Sequence, residues 1–453
     1  MGRSADVVVC GAGIAGVAVA HHLTAILGVP DVVLCDPRPP LTLTSDKSTE
    51  CYRNLWPNAS MVALMNRSID LMEEFARASG NAFGLNRRGY LYATADPDRL
   101  EAMRAEAEAG ATLGVGPLRV HGGAAADPPY LASPPSGWEG VPAGTDLITS
   151  PGLLHDLFPW LGPSAVGALH VRRAGWLSAQ QLGAWLLDEG RRHGLTLQQR
   201  ALTGVRLGSG RVTGVDLDDG SHLPCGALVI AAGPMLGEVA GLLGETLPVQ
   251  SEVHLKVSFA DVAGAMPRQA PMVIWSDPQA LGWSQEERVL LESERRVDLL
   301  GELPRFCHGR PEGGPDSNWA LALWEYHKRV QEPSWPLPDD PLFAEVVLRG
   351  MEAMLPAMAS YRDRLPRSVV DGGYYTKTPE NRPLAGPMET PGAFVAGALS
   401  GFGIMAACGL AEIAALHVTG GTLPDHAAGF SPQRYLDAGY LVEVAALEAT
   451  GQL

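Results

Sequence analysis

Apolar runs and glycine turns alternate along this chain. The first such unit is ADVVVCGAGIAGVAVAHHLTAILGVPDVVLCDP. Val7 to Val9 predict a short strand, and the apolar run beyond Gly16 predicts a helix through about Leu27 that Gly28 ends. Val32 to Cys35 predict the next strand, closed by Asp36. In GVRLGSGRVTGVDLDDGSHLPCGALVIAAGP, Val205, Leu207, Val212, Val215 and Leu217 alternate around Gly and Asp-Gly turns. That pattern predicts a β-meander leading into a buried strand, Ala227 to Ala231, which ends in Ala232 and Gly233. SEVHLKVSF and NWALALWEYH read as strands of a separate mixed sheet, and ADPDRLEAMRAEAEAGATLG as a helix with an Asp near its start and a Gly after it. Late in the chain, Ala393 to Leu399 predict a buried strand, Ser400 to Gly403 a tight loop, and Ile404 the start of a helix that passes Glu412. The stretch from Gly392 to Ala415 has no charge before Glu412, so a membrane helix competes for it. Its glycines break up any continuous span, and a buried strand, loop and helix is the better expectation.

These elements assemble into an α/β fold. A Rossmann-like dinucleotide-binding domain, discontinuous in sequence, is expected from 1–86, 151–248 and 369–430. A second, mixed-sheet α+β substrate domain is expected from 87–150 and 249–367, with 431–453 as a C-terminal extension. A length of 453 residues accommodates both. The net charge of -16 argues against nucleic acid and anionic lipid as partners. Six cysteines without a CxxC or another metal-ligand spacing suggest reduced thiols, a cytoplasmic protein and no metal.

The chemistry begins at Gly11, Gly13 and Gly16. Gly11 permits the tight turn, Gly13 lets the backbone approach a pyrophosphate, and Gly16 lets the helix pack on the strand. The phosphates then meet the helix N-terminus at Ile14 and Ala15. Asp36 stands where an acid accepts from a ribose hydroxyl, and it would repel a 2′-phosphate. In TSDKSTECYRNLWP, Ser45 and Ser48 can donate to pyrophosphate or ribityl oxygens, and Arg53 is a flavin or substrate contact. FCHGRPEGG reads as a glycine-rich loop that carries His308, Arg310 and Glu312 toward a site.

The chain resembles the flavin-dependent D-amino-acid oxidase superfamily, which includes glycine oxidase and the sarcosine oxidases. The resemblance rests on GAGIAG with Asp36, on TSDKSTECYRNLWP, on GWLSAQQLGAWLLDEGRRHG, on GALVIAAGP, and on GYYTKTPENRPLAGP with GAFVAGALSGFGIMAACG. It implies bound FAD, with Ala232 and Gly233 at the cofactor. Gly401, Phe402, Gly403, Ile404 and Met405 form the second half of the flavin site, and Tyr375 lies over the ring. Relatives with a cysteine-linked flavin carry that cysteine where this chain has Gly373, so FAD is expected to be non-covalent, with Cys51 as an outlying candidate for a link. Sarcosine oxidases place a His and a Lys where this chain has Phe402 and Met405. The implied reaction on a small-molecule substrate removes hydride from a carbon next to an amine nitrogen and gives an imine. The proposed catalytic residues are Tyr375, Arg53 and His308. Two other readings stand beside it: oxidation of a C–O or C–C bond in a larger natural product, and a flavin-binding module without turnover.

Overall fold

Two sheets organise the molecule. The computed structural model describes residues 4–314 and 316–446. In the first sheet, parallel strands run in the order Thr196–Gln198, Val32–Cys35, Ala5–Cys10, His222–Ile230, Ala393–Gly397. Val8, Val9, Leu34 and Val229 are fully buried, as expected of parallel strands covered on both faces. The predicted meander is present: Leu202–Gly208 and Arg211–Leu217 form an antiparallel ribbon on the first half of His222–Ile230. The helix after the glycine loop is regular over Ile14–His21 and then widens into a π-helical turn over His22–Ile26. The predicted helix over the ADPDRLEAMR stretch spans Pro97–Thr112, capped by Asp96.

The long apolar stretch is buried structure, as the sequence suggests. Its strand ends at Gly397, and its helix, Gly403–Thr419, packs against the helices Ile14–His21 and Ala59–Ser79. Its first charge, Glu412, makes a bidentate pair with Arg67 of the neighbouring helix, at 2.8 and 2.7 Å. Among the described residues no helix is long and apolar enough to cross a membrane. All six cysteines are free and buried.

The second sheet has nine strands, in the order Ser368–Lys377, Gln250–Ala260, Trp319–Leu323, Cys307–Glu312, Met272–Trp275, Tyr90–Thr94, Gly167–Val171, Thr145–Ile148 and Leu118–His121. It thus takes Gly167–Val171 and Ser368–Lys377 from stretches that the sequence reading groups with the first domain. Strand alternation explains its two faces. Val253, Leu255, Val257 and Phe259 face a core completed by the helix Phe343–Met351. Register places Glu252, His254 and Lys256 on the opposite face with Tyr375 and Lys377. His308 and Arg310 continue that face, followed by Ile274, Met272, Tyr92 and Tyr90.

This polar face is turned toward the first domain and is buried there. Lys256 Nζ donates to the Ser48 carbonyl at 3.0 Å, and Arg310 donates to the Thr49 carbonyl at 3.1 and 2.8 Å. The glycine-rich loop expected at FCHGRPEGG is instead a strand, Cys307–Glu312. It is bonded on both sides, to Met272–Trp275 and to Trp319–Leu323. Its glycine, Gly309, faces the Leu321 carbonyl and Met351 and packs closely rather than turning. Beyond residue 430, Arg434, Tyr435 and Tyr440 all bond the buried carboxylate of Glu380, which ties the C-terminal segment to the body.

Candidate active site

The nucleotide end of the site is built from the first glycine loop. Gly11 has φ +106°, and a Cβ there would sit 2.4 Å from the Ala231 carbonyl oxygen. A Cβ on Gly16 would lie 1.8 Å from the Gly11 carbonyl oxygen. Without a Cβ, Gly11 lets the loop lie against the end of strand His222–Ile230, and Gly16 lets the helix rise directly from the loop. Asp36 accepts from the backbone N–H of Ala12 at 2.8 Å and of Arg38 at 2.8 Å, one bond to each carboxylate oxygen. Both oxygens keep further lone pairs for a ribose diol. The Ile14 N–H donates to Ser45 Oγ at 3.0 Å, so the helix N-terminus already aims a donor at an oxygen.

A cleft opens over this loop. Gly11, Gly13, Ile14, Ala15 and Asp36 line one end of it. Ser45 and Ser48 line its side, with Ala232 and Gly233 from the strand end opposite. Gly401, Gly403, Ile404 and Tyr375 line the other end. Three residues expected at the cofactor lie behind this surface. Gly16 is packed against Gly11, and Met405 is part of the apolar core. Phe402 is 2% exposed, with its ring edge-on to Trp56 at 5.1 Å. The glycines give the backbone close approach, Asp36 offers a hydroxyl acceptor, and a helix N-terminus stands at each end. That donor and acceptor set fits an extended adenine dinucleotide.

The second glycine loop is strained into place. Ala398 and Ser400 both take positive φ, at +55° and +47°. The Ser400 N–H bonds the Thr376 carbonyl at 2.9 Å, which fixes the loop beside Tyr375. Tyr374 points to the other face of its strand, where its hydroxyl meets Ser334. The Tyr375 ring stacks on His254, with centroids 3.9 Å apart and planes 14° apart.

Behind Tyr375 runs a row of charged groups that sequence reasoning did not assemble. His254 Nε2 is 3.3 Å from Glu252 and its Nδ1 is 3.4 Å from Glu325. Lys377 pairs with Glu252 at 2.7 Å, and Lys328 pairs with Glu325 at 2.8 Å. Burial opposes the charge on Glu252, but the bonds from His254 and Lys377 prevail and bring its pKa down to about 2. The same contest holds Glu325 below the usual carboxylate range, through His254, Lys328 and His308. Alternation in SEVHLK carries the available signal: a strand polar on one face and still buried faces another domain.

His308 continues the row and is 4% exposed. Burial, with Arg53 as a lesser cause, lowers its pKa to about 4 against the opposing effects of the Phe306 carbonyl and Glu325. Arg53 stacks over Trp56 at 4.6 Å and reaches toward Tyr90. None of Arg53, His308 and Glu325 lines this cleft; His308 and Glu325 stand on the sheet face that continues from Tyr375, and Arg53 approaches that face from the strand Cys51–Arg53. Cys51 is buried, its Sγ 3.1 Å from the Thr49 carbonyl, and burial raises its thiol pKa. It is not among the residues lining the cleft.

Comparison with known proteins agrees with this geometry. The family model for FAD dependent oxidoreductases, DAO, matches residues 6–416. The L-proline dehydrogenase structure from P. horikoshii superposes with a TM-score of 0.73 at 20% identity, over 96% of this chain and 99% of that one. Glycine oxidase from Geobacillus kaustophilus gives 0.70 at 17% identity, over 95% and 98%. Iminodiacetate oxidase from Chelativorans sp. BNC1 gives 0.67 at 18% identity, over 94% and 98%. A nucleotide cradle split between two glycine loops and a match along most of the chain place this protein in the DAO family of FAD-dependent oxidoreductases.

Proposed function

We propose that the protein oxidises an amine or amino acid at the carbon bearing nitrogen, with FAD held non-covalently. The observation that carries this reading is the buried polar face of the second sheet. Tyr375, next to the second glycine loop, stands on it with His308 and Glu325, and Arg53 faces it from the strand Cys51–Arg53. FAD, when bound, supplies the ring that accepts the hydride. The first glycine loop, with Ser45 and Ser48, holds the pyrophosphate, and Asp36 holds the ribose. The N-terminus of helix Gly403–Thr419 favours the negative charge that reduction creates, worth about 0.3–2 kcal/mol from the dipole alone. Tyr375 orients substrate against the ring and keeps water out, with its hydroxyl free of hydrogen bonds among the described residues. Arg53 and His308 bind the polar groups of the substrate.

Further support comes from the structural neighbours, whose names specify proline, glycine and iminodiacetate, all amino acids. Phe402 and Met405 motivate the larger natural product as substrate, but both lie behind the cleft surface. Gly373 leaves no thiol at its position, and Cys51 is buried away from the cleft lining; both favour non-covalent FAD. The domain boundaries given above, with Gly167–Val171 and Ser368–Lys377 moved to the substrate domain, and a cytoplasmic location belong to the same proposal. Absorbance is the first test: the protein loaded with FAD shows paired near-ultraviolet and blue flavin bands, and acid precipitation releases the flavin into the supernatant. Retention of flavin in the pellet would show a covalent link, and failure to take up FAD would end the proposal.

A further inference from the structure

His308 has a defined tautomer. Its Nδ1 lies 2.7 Å from the Phe306 carbonyl oxygen, and a carbonyl only accepts, so Nδ1 carries the hydrogen. In the neutral ring Nε2 is then a lone-pair acceptor. It has no hydrogen bond among the described residues, although the residue is more than nine-tenths buried. Leu323 lies opposite His308 in the sheet, and Glu325, two residues further along, meets His254 of the same face at 3.4 Å. A carboxylate also only accepts. Its two oxygens face His254 and Lys328 and leave lone pairs over. Two acceptors, one neutral and one anionic, thus stand together on the wall that continues from Tyr375.

We propose that His308 Nε2 and Glu325 form the amine-binding subsite, and that they select substrates whose nitrogen carries N–H groups. This rests on the amine-oxidation reading above. A primary or secondary ammonium offers two or more N–H donors and satisfies both acceptors. A tertiary ammonium offers one, and the other buried acceptor loses its water without replacement. Glu325 favours the cation over a neutral isostere.

The test uses the FAD-loaded enzyme without oxygen. The amino acid that bleaches the flavin fastest is compared with its N-methyl and N,N-dimethyl derivatives. Binding is read from the perturbed flavin spectrum and the reduction rate from stopped flow. The N,N-dimethyl compound should bind about 10- to 100-fold more weakly, the scale set by one unpaired buried acceptor. Glu325→Gln and His308→Phe should each weaken binding of the amino acid by about tenfold or more, while the deaminated acid stays within about twofold. The deaminated acid separates loss of the subsite from general damage, and an unchanged flavin spectrum confirms that each variant retains FAD. Equal binding and reduction with the tertiary amine would overturn the subsite, as would unchanged amino acid affinity in both variants. If amines reduce the wild-type flavin but do not discriminate in this way, the subsite alone fails. If no amine reduces it, the reading of the function fails and takes this inference with it.

Discussion

Gly11 and Asp36 line the end of the cleft that the proposal gives to the nucleotide. At Gly11, φ +106° and the Ala231 carbonyl both exclude a side chain. Gly11→Ala should therefore cost about 1–3 kcal/mol of stability from backbone strain and abolish copurification of FAD. Thermal unfolding and the ratio of flavin to protein absorbance measure the two effects. Asp36→Asn keeps the size but weakens an acceptor for the ribose, and it should raise the dissociation constant for FAD about tenfold, as one charge-assisted bond predicts. These two residues were legible in the sequence because glycine spacing and a following acid are local signals. Ser45 was also legible, from polar residues crowded between apolar elements, and the Ile14 bond shows how it meets the helix. Glu325 and His254 were not assembled in advance. Their partners lie on other strands, and nothing in sequence spacing brings Glu325 beside residue 254. Phe402 and Met405 were read as cofactor contacts from loop resemblance, whereas helix rotation turns Met405 into the core.

At the scale of elements, the loop over 44–50 links the two sheets. Thr44 Oγ1 bonds the Tyr374 carbonyl at 3.1 Å, and Arg310 bonds the Thr49 carbonyl and approaches Glu50 at 3.4 Å. The same loop presents Ser45 and Ser48 to the cleft. Removing Arg310 takes away one of the loop's clamps, beside those of Lys256 and Thr44, and leaves Glu50 without its paired cation. Arg310→Met should destabilise the protein by about 3–5 kcal/mol, the scale for breaking one half of a buried pair. It should also weaken FAD binding, read by equilibrium unfolding and by titration of the apoprotein with FAD. An unchanged FAD affinity would show that the loop is held without this clamp. The strand carrying Arg310 was misread from FCHGRPEGG because glycines in a short polar run mimic a loop. Edge-to-edge pairing with two neighbours decides the conformation there, and a strand's neighbours are not visible in its own residues. By contrast, the terminal strand, loop and helix were legible, because apolar composition and glycine placement were enough to specify burial.

Across the whole molecule, buried neutral histidines couple stability to pH. Burial lowers His21, His22, His308 and His327 from 6.5 to about 4. As pH falls below 6.5, the unfolded chain binds these protons before the folded one does. Their contribution is thus fully present above about pH 6.5 and is lost progressively toward pH 4. Buried carboxylates with depressed pKa values, Glu252 and Glu380 among them, lose their contribution at lower pH still and with the same sign. The Tm should fall by more than about 5 °C between pH 7 and pH 5, as differential scanning calorimetry can show. A flat profile would mean that these rings are open to protonation in the folded state.

The same two-sheet arrangement places a buried polar wall beside a dinucleotide cleft, and amine oxidation is the function that uses both. The most direct measurement is flavin absorbance during anaerobic addition of a panel of amino acids and amines to the FAD-loaded protein. The account predicts that at least one amino acid or amine with an N–H group bleaches the blue band, and that the corresponding imine hydrolysis product forms in an amount equal to the flavin reduced. A flavin that dithionite bleaches but that stays oxidised against the whole panel would contradict it.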